Sequence, residues 1–166
     1  MNILQMKQST NRLHTKPSLP VPQNRVTIGK LTANIDDNTL LITGTVLGHE
    51  RSPYTVNMLF FDTESNPVMV RDTVEILLVR GEERSTVLLK RVIESRSPIQ
   101  CNCSCADYTF SFAHANFAVK AHYGELPQYV KKPGQHKPRN PQHIPGLCRH
   151  LIAFTVALKR QNIMRS

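Results

Sequence analysis

Five residues in this chain have the types and spacing to hold a metal ion: Cys101, Cys103, Cys105, Cys148 and His150. Three of the four cysteines fall within five positions, and alternate cysteines that close together seldom reach disulfide geometry with one another. Metal ligation is therefore the first expectation. The pattern reads Cys-x-Cys, an interval of 42 residues, then Cys-x-His. Two short pairs of sulfur and nitrogen donors from separate segments can surround one tetrahedral ion, and thiolate with imidazole favours zinc over oxygen-seeking ions. Five candidates compete for four places, with His136 and His143 in reserve.

Local structure must aim these side chains. An extended Cys-x-Cys puts both thiols on one face of the chain. The second pair stands at the mouth of a helix predicted over 147–164, where the helix dipole favours a thiolate. Leu151, Ile152, Thr155, Val156, Leu158 and Ile163 give that helix its period, and Lys159, Arg160 and Arg165 suit its C-terminus. A second helix is predicted over 106–122 from Tyr108, Phe112, Ala115 and Val119, with Asp107 as cap and Gly124 as stop. Its aromatics, Tyr108, Phe110, Phe112 and Phe117, are expected in the core. Residues 125–146 hold five of the eleven prolines together with Lys131, Lys132, Lys137 and Arg139, which predicts an irregular basic loop.

The chain ahead of the cysteines has a different texture. Residues 25–97 carry short β-branched runs, such as Thr39 to Leu47 and Tyr54 to Phe61, separated by turn residues, including one turn over 34–38. Five or six strands at such intervals predict a small antiparallel sandwich or barrel. Asp36 with Asp37, and Glu82 with Glu83, read as solvated turns rather than paired catalytic acids. Residues 1–24 are polar, basic and contain Pro17, Pro20 and Pro22, the composition of an extended arm. The expected fold class is α+β, with the arm over 1–24, an antiparallel β domain over 25–97, and a metal-braced finger with two helices and the loop over 98–166.

At this point the residues resemble a known family, the SWIM zinc fingers, whose signature is Cys-x-Cys followed at a variable interval by Cys-x-His. Cys103-Ser-Cys105-Ala-Asp107-Tyr108 is similar to their Cys-Ser-Cys-Pro-Asp-Phe stretch, and Cys148-Arg-His150-Leu-Ile-Ala is similar to their Cys-Lys-His-Leu-Ile-Ala helix start. The resemblance implies a structural zinc ion on Cys103, Cys105, Cys148 and His150, leaving Cys101 outside. Ala106 stands where these fingers usually have proline, and the interval is longer than in most. The aromatic segment Phe110 to Phe117, Tyr123-Gly, the segment around Tyr129-Val-Lys-Lys, Arg139-Asn-Pro and Ile144-Pro-Gly-Leu-Cys-Arg-His resemble an insertion in SWIM-type proteins of tailed bacteriophages. That likeness covers roughly residues 101–160 and implies a virion structural or assembly protein.

Charge and motifs narrow the function classes. The chain carries 21 basic and 12 acidic residues, a net +9, concentrated at the ends: 1–30 carry +5 and 106–166 carry +7, while 31–105 carry −3. Basic ends suit phosphate contact or subunit docking. An enzyme is disfavoured, because four strong ligands close a metal site and the zinc-deaminase and His-Glu-x-x-His motifs are absent. No run approaches the roughly 18 apolar residues of a membrane span, and residues 1–10 lack the apolar core of a secretory signal. The expectation is a non-catalytic virion component made in the host cytoplasm, present in multiple copies, meeting other virion proteins through the arm and the Pro/Lys-rich loop. Nucleic-acid binding is the alternative.

Overall fold

The computed structural model describes residues 1–13, 27–47, 53–65, 72–80, 83–128 and 140–166. Its first element is a helix, α1 (Ile3–Leu13), where the sequence predicts an extended arm. Ile3, Met6 and Thr10 are buried, a spacing of three and four that lays one helical face on the core. The prolines of the predicted arm all come after Leu13, and its residues 14–24 lie outside the described residues.

Strands come next: β1 (Thr27–Asp36), β2 (Thr39–Leu47), β3 (Pro53–Phe60), β4 (Thr73–Arg80), β5 (Glu83–Lys90), β6 (Val92–Ile93) and β7 (Ile99–Cys103). In β2 burial alternates strictly, with Leu40, Ile42, Gly44 and Val46 inward and Leu41, Thr43 and Thr45 half-exposed. This is the period of two that a half-covered sheet requires. The turn predicted over 34–38 shrinks to its tip. Asp36 pairs with Thr39, and Asp37 takes the left-handed conformation (φ 46°) that a two-residue hairpin loop demands.

The main sheet has the order β1-β2-β3-β7, all antiparallel. Among the described residues it closes into neither a barrel nor a sandwich, since β4 and β5 form a separate two-stranded ribbon. Helices cover the inner face instead. The predicted boundary near residue 97 does not separate two cores either. The cysteine-bearing strand β7 is hydrogen-bonded to β3, and one contiguous apolar cluster runs from Ile3 and Met6 through Ile42, Met58 and Cys101 to Phe154 and Leu158.

Beyond β7 the chain makes a π-helical turn, Tyr108–Phe112, then α2 (Ala113–Ala118), α3 (Arg149–Arg160) and β8 (Met164–Arg165). Both predicted helices are shorter than expected, for the same physical reason. Lys120 (φ 57°) and Asn162 (φ 57°) adopt the left-handed conformation that ends a helix. The closing bonds Ala121 N–H to Asn116 O (2.7 Å) and Ile163 N–H to Leu158 O (3.0 Å) satisfy the terminal carbonyls. These reversals are useful. The first sends Ala121 to Tyr123 alongside β7, where Cys101 N–H meets Ala121 O at 2.9 Å; the second sends Met164 into a parallel pairing with β6. Tyr108 and Phe112 are buried as expected, but Phe110 and Phe117 are 52% and 55% exposed. No described helix is long and apolar enough to cross a membrane.

Candidate metal centre

Cys103 is the last residue of β7, on the same inward face as Cys101 two positions earlier. The turn after it is pinned to β3 at both ends of a short circuit: Ser104 N–H donates to Thr55 O at 3.0 Å, and Thr55 N–H donates to Ser104 Oγ at 2.9 Å. This fixes the bend that brings Cys105 back beside Cys103. Cys105 Sγ in turn accepts the Tyr108 N–H at 3.3 Å.

The second pair arrives on the other side. Cys148 is the N-cap of α3, in extended conformation (φ −71°, ψ 166°), and His150 is in its first turn. The approach to Cys148 is held by side chains distant in sequence. Asn116, fully buried, grips Gly146 twice: its Nδ2 donates to Gly146 O and its Oδ1 accepts from Gly146 N–H, each at 2.9 Å. Thr10 Oγ1 of α1 accepts the Leu147 N–H at 2.8 Å. Asn140 closes the preceding turn, accepting from Ile144 N–H and donating to Ser111 O. Gly146 must be glycine, because a Cβ there would sit 2.5 Å from Thr10 Oγ1 and 2.7 Å from the Phe112 ring.

Cys103, Cys105, Cys148 and His150 thus converge, all four buried, with their ligand atoms within 4.8 Å of one another. His150 Nδ1 lies 3.9 Å from Cys103 Sγ, and its ring stacks on Tyr54 with centroids 4.4 Å apart. His150 Nε2 is buried without a hydrogen-bond partner among the described residues. Three thiols and an imidazole so placed form a cluster that could hold a metal ion, with donors of the soft kind.

The electrostatics of the cluster fit that reading. Hydrogen bonding from Cys103, then Cys148, holds the Cys105 sulfur far below the ordinary thiol range despite burial. The same contact with Cys105 pushes Cys103 up to about 12, and burial, then hydrogen bonding to Cys103, pushes Cys148 up. Cysteine ligates as thiolate, so a cation binding there displaces the protons that the sulfurs hold.

Cys101 stands outside the four. It is fully buried, burial pushes its thiol up to about 12, and Asn116 Nδ2 approaches its sulfur at 4.0 Å. Its carbonyl accepts the Tyr108 hydroxyl at 2.6 Å, and that hydroxyl is also 3.0 Å from His122 Nδ1. Of the reserve ligands, His143 is exposed at the surface of a turn, while His136 and the basic residues Lys131, Lys132, Lys137 and Arg139 lie outside the described residues.

Sequence reasoning passes over the residues that position the cluster: Thr10, Tyr54, Asn116 and Asn140. It also misses Glu94, a buried carboxylate that binds Lys7 of α1 at 2.5 Å and Lys159 of α3 at 2.6 Å. Burial raises the Glu94 carboxyl, but the two lysines outweigh it and hold the group below its ordinary 4.5. Glu94 sits in the turn between β6 and β7 and reaches both helices only through these ion pairs, a role with no local sequence signature. No family model, no curated protein and no solved structure matches the chain.

Proposed function

We propose that this protein is a non-catalytic structural and assembly component of a tailed-bacteriophage virion, braced by a structural zinc ion in a SWIM-like Cys-x-Cys and Cys-x-His finger. The observation that carries the structural half is the closed cluster of four buried ligands. Zinc at about 2.3 Å from sulfur and about 2.0 Å from nitrogen places tetrahedral ligand atoms roughly 3.5 to 3.8 Å apart. The 3.9 Å between His150 Nδ1 and Cys103 Sγ is close to that spacing. Four protein ligands fill the shell, which argues against the open position that catalysis on zinc needs.

The virion half rests on the sequence resemblance over residues 101–160. A neck, baseplate or head-associated position suits it, in multiple copies beside other virion proteins, after synthesis in the host cytoplasm. The test is composition of the particle. Virions purified through a density gradient from cells expressing the gene should contain the chain in several copies; particles lacking it contradict the assignment.

The charge distribution favours a second reading, sequence-independent nucleic-acid binding, because 106–166 carry nine basic residues against two acidic ones. Such binding rests on counterion release and falls steeply between about 50 and 200 mM salt. Failure to retain duplex or single-stranded DNA at the low end removes it.

A further inference from the structure

Two segments supply the ligands. The end of β7 and its turn bring Cys103 and Cys105, and residues 146–150 bring Cys148 and His150. A metal ion joins these segments at one point. The N-terminal helix joins the same two segments at another. At its start, the Met1 carbonyl accepts the Ile99 N–H, at the first residue of β7, at 3.0 Å. At its end, Thr10 reaches the residue beside Cys148, accepting from Leu147 N–H at 2.8 Å while its own proton goes to Met6 O at 2.8 Å. Ile3 and Met6 fill the core between these ties, and Lys7 shares Glu94 with Lys159 of the His150-bearing helix.

The helix cannot stand without this support. It has 11 residues, and isolated helices shorter than about 12 to 15 residues are marginal in water. Its folding is therefore a docking event onto the two ligand-bearing segments. Whatever fixes those segments relative to one another favours docking, and docking in turn favours the ligand geometry. Thermodynamic linkage makes the two effects equal.

We propose that docking of the N-terminal helix and loading of the zinc centre are coupled, with Thr10 as the residue that positions the Cys148 arm. This rests on reading the cluster as a zinc centre. Zinc holds residues 3–13 down, and the docked helix raises zinc affinity; loss of either loosens the other. The N-terminal segment thereby becomes responsive to metal supply.

The experiment uses the full chain with zinc itself as the probe. Zinc affinity is measured by competition with a chromophoric chelator for the parent, Thr10→Val, Ile3→Ala and Leu89→Ala. Thr10→Val removes the hydroxyl while keeping the shape; Ile3→Ala weakens docking from the far end; Leu89→Ala destabilises a buried position of β5. Hydrogen exchange over 3–13 in the zinc-saturated proteins reports docking independently of affinity. Coupling predicts faster exchange over 3–13 and zinc binding weaker by on the order of tenfold in the first two variants, with parental affinity in Leu89→Ala. Faster exchange over 3–13 in both α1 variants with parental zinc affinity overturns the coupling alone. A parent chain that binds no zinc overturns the metal centre and the coupling with it.

Discussion

Replacing Asn116 by alanine isolates the clamp that carries Cys148 to its partners. Asn116 is fully buried and spans 30 residues to give Gly146 both a donor and an acceptor, each at 2.9 Å. Without the amide, a buried N–H and a buried C=O lose their partners together. Each unpaired group costs about 1 to 3 kcal/mol. A water admitted to the vacated space recovers part of this, so the net loss is about 2 to 4 kcal/mol. For a chain of this size that corresponds to a midpoint lower by about 4 to 16 °C. The assay is urea and thermal unfolding of zinc-loaded parent and variant, with an unchanged urea slope showing that the same surface is exposed. Zinc affinity should fall as well, because the backbone leading to Cys148 is no longer fixed. A stability change under about 0.5 kcal/mol with parental zinc affinity would refute the reasoning, since that is the size expected of an uninvolved surface site.

The packing and the charges give three further outcomes. Gly44→Ala places a methyl 2.4 Å from the fully buried Phe154 ring, so it should destabilise by about 1 to 3 kcal/mol, and Phe154→Leu should absorb part of that loss; losses that simply add in thermal unfolding would contradict this seat for α3. Glu94→Gln should cost about 1 to 3 kcal/mol at neutral pH, because two partly exposed lysines lose a charged acceptor. The folded Glu94 group titrates below its ordinary 4.5, so its contribution is present above that pH and is lost as pH falls through the folded value. The stability gap between parent and Glu94→Gln should therefore close in acid, and a gap independent of pH would exclude the ion pairs as its source. With zinc chelated, sheet and finger should still unfold in one transition, at a lower temperature than in the loaded chain, since Ile3, Met58, Cys101 and Phe154 share one core. Separate strand and helix transitions by circular dichroism would instead restore the independent finger that the sequence suggests.

The legible parts of this molecule are those written in short-range pattern. Thr39 to Leu47 shows its period of two directly, and the structure keeps that segment as β2 with its inward face intact. The members of the Cys/His cluster are legible because each pair is a local motif, Cys-x-Cys and Cys-x-His, whose spacing survives whatever lies between. The helix at the N-terminus is not legible, because Ile3, Met6 and Thr10 are too few to outweigh a polar context with prolines close behind. Both later helices stop just short of Lys120 and Asn162, left-handed residues from which the chain turns back to pair with neighbouring strands. Lys120 announces no stop, and Asn162 does so less strongly than glycine would. The positioning contacts are less visible still. Thr10 reaches Leu147 across 137 residues, and nothing in either neighbourhood foretells the meeting. The continuity of the core across residue 97 is hidden for a related reason, since β7 belongs by sequence to the cysteine segment and by hydrogen bonding to the sheet.

The proposed function requires Cys103, Cys105, Cys148 and His150 to hold one zinc ion. Elemental analysis of the chain purified under reducing conditions tests it most directly, with Cys101→Ser, Cys103→Ser and His150→Ala beside the parent. About one zinc per chain is expected in the parent and in Cys101→Ser, with loss of the metal in the other two. A parent without metal, or a Cys101→Ser variant that loses zinc while Cys103→Ser retains it, would contradict it.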